Sequence, residues 1–133
     1  MPGTFNIDLS EGYKVVSYPY PMVAFSTSAT PDVWTAYQVA INAAAISSDF
    51  YIVGVSLYNY ASASYEIEVA TGGAGAEVAI ATICSYGGSS GVPYICPMDP
   101  IRVLADTRVS IRCRDDSASS KNVRAGLLIK EVV

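Results

Sequence analysis

Histidine is absent from this chain. That removes the commonest general base and the commonest metal ligand, and with them the Ser-His-Asp, Cys-His and His-based zinc arrangements. Charge is sparse as well, at 15% of residues, with a net balance of −4. Nucleic-acid binding needs a cluster of Lys and Arg that releases counterions from phosphates. The one basic cluster is Arg108, Arg112 and Arg114, with Asp115 and Asp116 following at once. A solvated or ion-paired face is expected there, and no nucleic-acid partner. No run approaches the ~18 unbroken apolar residues of a membrane span; the nearest, Val39 to Ile46, contains Asn42, and no membrane partner is expected. The first eleven residues have neither the basic nor the apolar region of a secretory signal. The expectation is a chain made and folded in the cytoplasm, unless a leader was removed. Cysteines are few: Cys84, Cys96 and Cys113 are odd in number and form no Cys-x-x-Cys pair. Free thiols are expected, with a Cys84–Cys96 bridge as the open alternative.

What the chain does have is alternation. In Thr107 to Arg114, Arg108, Ser110, Arg112 and Arg114 point one way and Val109, Ile111 and Cys113 the other; in Ser64 to Ala70, Glu66 and Glu68 oppose Tyr65, Ile67 and Val69. Period two marks half-buried antiparallel strands with one face in water. Eight or nine such segments recur, over 13–18, 22–27, 32–40, 50–58, 64–71, 76–84, 99–105, 107–114 and 121–131. Their separators carry Gly, Pro, Ser or Asn. Regular short strands predict an all-β fold, an antiparallel two-sheet β-sandwich. At 133 residues one such domain hides roughly two-thirds of its unfolded surface without staples.

The expected organisation is an N-terminal arm or edge strand over 1–12, where Phe5, Ile7 and Leu9 alternate, and a single β-sandwich domain over 13–133. Within it, 36–46 is alanine-rich and reads as a strand through Val39 followed by irregular chain, with a short helix as the other reading. Phe50 to Tyr58 is almost all apolar and reads as a central strand covered on both sides. Gly54 marks either a bulge or the close approach of a ring from the facing layer. The last strand puts Val123, Ala125, Leu127 and Ile129 inward, with 108–114 as its expected neighbour. Tyrosine supplies ten of the fourteen aromatic residues. With so little charge, the surface is read either as partly covered by neighbours or as an ordinary small-residue surface.

Candidate chemistry is thin. Glu66 and Glu68 share a strand face and are formally a carboxylate pair for glycoside hydrolysis, but ion pairing with Arg or Lys on an adjacent strand is the stronger expectation. Gly72-Gly-Ala-Gly75 lacks the helix that a phosphate loop requires and reads as a hairpin turn. Asp99, Asp106, Asp115 and Asp116 lack the spacing of a calcium loop. Trp34 and the strand-end tyrosines Tyr18, Tyr20, Tyr58, Tyr60, Tyr86 and Tyr94 are candidate platforms for a sugar or a protein. No catalytic, cofactor-binding or metal-binding residue is expected, and no cofactor.

Three stretches carry a resemblance: Glu66 to Ile83, with its glycine turn and Glu77; Asp99 to Arg114, with Pro100-Ile-Arg-Val103 and Thr107-Arg-Val-Ser-Ile-Arg112; and Ser117-Ala-Ser119. Together they resemble a group of small tailed-bacteriophage virion proteins over roughly the C-terminal two-thirds of the chain. Where that pattern has Gly before Thr-Arg this chain has Asp106, a residue that tolerates the same turn. The resemblance implies a jelly-roll β-sandwich without enzymatic activity. Its implied role is capsid decoration on the virion head surface, as a homo-oligomer, a trimer favoured, bound to the major capsid protein or other virion subunits. A tail or fibre module that binds host glycan is the alternative, and a carbohydrate-active enzyme using Glu66 and Glu68 ranks last.

Overall fold

A computed structural model describes residues 13–58, 63–87 and 94–132. Eight strands follow one another: β1 (Tyr13–Ser26), β2 (Gln38–Ile41), β3 (Phe50–Tyr58), β4 (Ala63–Thr71), β5 (Val78–Gly87), β6 (Tyr94–Val103), β7 (Val109–Asp115) and β8 (Asn122–Val132). They form two four-stranded antiparallel sheets, in the orders β1-β8-β3-β6 and β2-β7-β4-β5. Among the described residues there is no helix. The pairs β1 with β8, β2 with β7, β3 with β6 and β4 with β5 are those of one long hairpin rolled up on itself. That is the jelly roll, and the all-β sandwich expected from alternation is the observed fold.

The core lies between the sheets. Phe50, Ile52, Val55, Leu57 and the predicted inward set Val123, Ala125, Leu127 and Ile129 line one side; Tyr65, Ile67, Val69, Val109, Ile111 and Cys113 line the other, all at 0–1% exposure. The Val, Leu, Ile and Phe side chains among them contribute ~1.5–3 kcal/mol each in transfer free energy.

Several expectations are corrected. Segments 13–18 and 22–27 are one strand: Pro19 to Met22 stand against Gly126 alone, between the pairs Tyr18–Leu127 and Val23–Ala125. A proline break survives inside β1 because β1 is an edge, where a missing N–H costs no ladder bond. The strand expected over 32–40 shrinks to Gln38–Ile41, because Asp32 takes a left-handed φ of 61° and the chain beyond it follows β7 through irregular bonds. The alanines at 43–45 form neither helix nor strand; Ala44 turns at φ 65° and its N–H reaches the Asp106 carbonyl. β8 does not pair with β7 but lies between β1 and β3 in the opposite sheet, as the rolled hairpin requires. The strand expected at 99–105 starts earlier, at Tyr94, and ends at Val103; its Pro97 and Pro100 again sit on a sheet edge.

Gly54 answers to the bulge reading. Register shifts between Ile52 and Gly54 against both neighbours, and a Cβ there would lie 2.9 Å from the Cys96 carbonyl oxygen. The close approach is therefore backbone from the adjacent strand, not a ring. The bulge also changes phase: even-numbered Phe50 and Ile52 face the core before it, odd-numbered Val55 and Leu57 after it. This phase change accounts for much of the unbroken apolar run that suggested a strand covered on both faces. On the outer face, Ser56 is covered where its hydroxyl meets Met22 Sδ at 3.6 Å, while Tyr51 and Val53 are half-buried.

Asp106 does take the turn conformation that glycine would, at φ 64°. Its N–H donates to the Ile46 carbonyl at 2.8 Å, tying the two loops at one end of the sandwich. The run Gly72–Gly75 is the β4–β5 hairpin turn, with positive φ at Gly72 and Gly75. The arm expected over 1–12 lies outside the described residues.

Candidate functional site

The densest polar constellation sits on the outer face of β7 and β4. Antiparallel register places Glu66 opposite Arg114 and Glu68 opposite Arg112. Arg112 Nη2 reaches Glu68 Oε1 at 2.9 Å, and Arg114 Nε donates to Glu66 Oε2. The ion pairing expected from the sequence is thus the arrangement found.

What covers the ladder comes from elsewhere in the chain. Residues 32–37 run along the free side of β7: Asp32 N–H donates to the Asp115 carbonyl at 2.8 Å and Thr35 N–H to the Cys113 carbonyl at 2.9 Å. The Thr35 hydroxyl accepts the Cys113 N–H at 3.1 Å, a side chain standing in for a strand partner. This path carries Trp34 over Arg114 and Arg112, with guanidinium carbons 4.4 and 4.8 Å from the ring centroid, and Tyr37 over Arg112 at 4.5 Å. Both are cation–π distances. The Tyr37 hydroxyl donates to Glu68 Oε1.

The face expected in water is therefore partly roofed. Glu68, bonded by Tyr37 from the edge segment and by Arg112 from β7, is 7% exposed, and Ser110, between Val39 and Ala70 in the sheet, is fully buried. Arg108 leaves the ladder and holds the β4–β5 turn, donating to the Gly72 carbonyl at 3.0 Å and facing Glu77 at 3.5 Å. A cavity of about 430 Å³ opens beside the ladder, lined by Asp32, Ser64, Tyr65, Glu66, Cys84, Arg114, Asp115 and Asp116. Two of its aspartates are engaged: Asp115 accepts from the Thr27 hydroxyl at 2.7 Å and the Ser117 N–H at 3.2 Å, and Asp116 from the Ser64 N–H at 3.0 Å. Only the Asp115–Ser117 bond is local; the other two tie the end of β7 to Thr27 and to Ser64 on β4. Among the described residues no group of three or more acidic or thiol side chains is set to hold a metal.

Burial raises the Glu68 pKa, but hydrogen bonds from Tyr37 and Arg112 and the charges of Arg112 and Arg114 outweigh it, so the net shift is downward. A carboxylate held ionised is a poor general acid. Burial, with the Glu68 bond second, raises Tyr37. A depressed carboxylate pKa gives stability that is present above the unfolded value of ~4.3 and lost as pH falls through the lower native value. Thermal unfolding is expected to be flat from neutrality to about pH 5 and to weaken below it. Glu68→Gln should flatten that acid limb. Asp49, lowered first by its bond from Arg102, supplies part of the slope that remains.

Of the aromatic candidates, Trp34 is committed to the arginines on one ring face and Tyr58 is 39% exposed. Tyr60 and the side chains of Tyr18, Tyr20, Tyr86 and Tyr94 lie outside the described residues. Cys84 on β5 is an exposed free thiol and Cys113 a buried one; Cys96 is buried. Burial pushes the Cys113 thiol up to about 12. Sequence reasoning missed Tyr37 and the roofing role of Trp34, since no local pattern announces that an edge segment folds back over a strand some 75 residues later.

No protein-family model matches the sequence, and no curated protein matches it. Among solved structures, a chain from the disulfide-linked pili of Bacillus endospore appendages superposes with a TM-score of 0.44 at 19% identity, covering 91% of this chain and 87% of its own. A chain of infectious bursal disease virus Gt strain gives 0.47 at 10% identity, over 90% of this chain and 32% of its own. The CBM22-1 and GH10 modules of Clostridium thermocellum xylanase 10B give 0.36 at 10%, over 96% and 27%. At these levels none assigns the chain to a family.

Proposed function

We propose that this protein is a non-enzymatic structural protein of a bacteriophage virion, a capsid decoration protein that binds and stabilises the head shell. The chain then comprises one sandwich domain over 13–133 and an arm over 1–12. The observation that carries the reading is the self-neutralised ladder. Glu66 and Glu68, the only carboxylate pair the sequence offered for catalysis, are each engaged by an arginine, and Glu68 is further tied by Tyr37. Such a face holds shape rather than moving protons. The jelly roll and the resemblance of 66–83, 99–114 and 117–119 to tailed-phage virion proteins support the same reading. The mechanism is linkage: a protein that binds only the assembled shell stabilises that shell in proportion to its occupancy.

Purified protein mixed with undecorated heads is expected to co-sediment with them and raise their disruption temperature. Absence of both effects would sink the decoration reading. A glycan array on the same preparation separates the tail-module reading, for which Trp34, flat against the sheet, and exposed Tyr58 are the contact candidates. Decoration is indifferent to sugar.

A further inference from the structure

Two four-stranded sheets have four edges, and three of them are closed to further pairing. β1 carries Pro19 and Pro21 within a wide bulge, β6 carries Pro97 and Pro100, and β2 is four residues long. Prolines, bulges and shortness are the usual devices against strand addition. β5 is long and free of proline; its irregularity is a bulge at Ile80, left without an opposite residue between the pairs Ala79–Ala70 and Ala81–Val69, and from Ala81 to Gly87 its register with β4 is unbroken. It runs ten residues, Val78-Ala-Ile-Ala-Thr-Ile-Cys-Ser-Tyr-Gly87, with no proline and no charge. Among the described residues it pairs only with β4. Its apolar side chains are also left incompletely covered: Ile80, Ala81 and Ile83 pack against the core while remaining only partly buried, and Val78 is 65% exposed. One more strand beyond β5 would cover them.

The chain contains a segment of matching design. Thr4-Phe-Asn-Ile-Asp-Leu-Ser10 alternates apolar Phe5, Ile7 and Leu9 with polar Asn6, Asp8 and Ser10, the pattern of a half-buried strand. It precedes β1, which lies over β2, whereas β5 lies under β6 at the opposite side of the sandwich. Reaching β5 of its own protomer would take the segment across three strand spacings, about 14 Å, as well as the thickness of the sandwich. In a neighbour set head to tail no such crossing is needed. Asp8 would be the sole charge at the junction, so no like charges meet on the uncharged edge.

We infer that residues 4–10 of one copy add as a strand to the open edge of β5 in a second copy, placing Phe5, Ile7 and Leu9 over Ile80 and Ile83. The contact is heterologous: it uses different surfaces on the two copies and builds closed rings or open chains. It does not depend on what the assembly decorates.

Cys84 gives a direct test, because it is an exposed thiol on β5. Under mild oxidation, full-length Asn6→Cys or Asp8→Cys protein is expected to give a ladder of dimers and higher multimers on non-reducing gels. Adding Cys84→Ser should abolish the ladder. Ile7→Pro should shift the sedimenting species to monomer without lowering the melting temperature of the sandwich. A cross-link at monomer mass would overturn the inference in favour of the arm folding back. So would no cross-link with either cysteine, a ladder that survives Cys84→Ser, or unchanged sedimentation of Ile7→Pro.

Discussion

Replacing Phe50 with alanine is expected to cost about 3–5 kcal/mol of folding stability, the range for removing a large buried ring. Phe50 opens β3 with no exposed surface, and its backbone pairs with Val103 on one side and Glu131 on the other. A cavity left there sits between two strands and under the facing sheet, where collapse would require both to move. Against a total of ~5–15 kcal/mol for a domain, the loss is a large fraction. Urea unfolding should show it as a lower midpoint with unchanged slope. Leu104→Ala serves as the control: at 63% exposure its change should stay within about 0.5 kcal/mol.

The second large effect lies in the ladder and depends on which partners are removed. Glu68→Ala strands Arg112 between the Trp34 and Tyr37 rings, with its Nε buried and without another partner. The expected cost is about 2–4 kcal/mol, below the ~3–5 of a fully buried pair because the Arg112 side chain keeps 27% of its exposure. Glu68→Leu with Arg112→Met removes both charges and keeps the volume, and should recover most of that loss. A double-mutant cycle in which the two single costs simply add would mean the pair is uncoupled.

Much of the sandwich is legible in the amino-acid sequence. Alternation places Val123, Ala125, Leu127 and Ile129 inward and predicts the Glu–Arg pairing, because period two and opposite charge are local or one-strand-away signals. The Asp106 turn is legible for the same kind of reason. What escapes depends on distance along the chain. The β3 bulge turns an alternating strand into an apparent continuous one, and nothing in 50–58 says where the phase slips. The neighbours of β8 follow from the rolled topology, which pairs the ends of the chain and makes no mark on either strand. The roof of Trp34 and Tyr37 exists because a threonine borrows a strand's hydrogen bonds.

The pairing of β1 with β8 also sets a clock. Tyr13 faces Val132, so among the described strands β1 gains its hydrogen-bonded partner only when β8 has been made. At ~5–20 residues per second, synthesis leaves β1 waiting on the order of ten seconds. Closure then joins strands at the two ends of the sandwich's sequence, the kind of topology that folds slowly for its size. β1 is also the strand that carries Pro19 and Pro21. Prolines and a bulge that look incidental in the finished edge discourage premature association of neighbouring nascent chains during that interval.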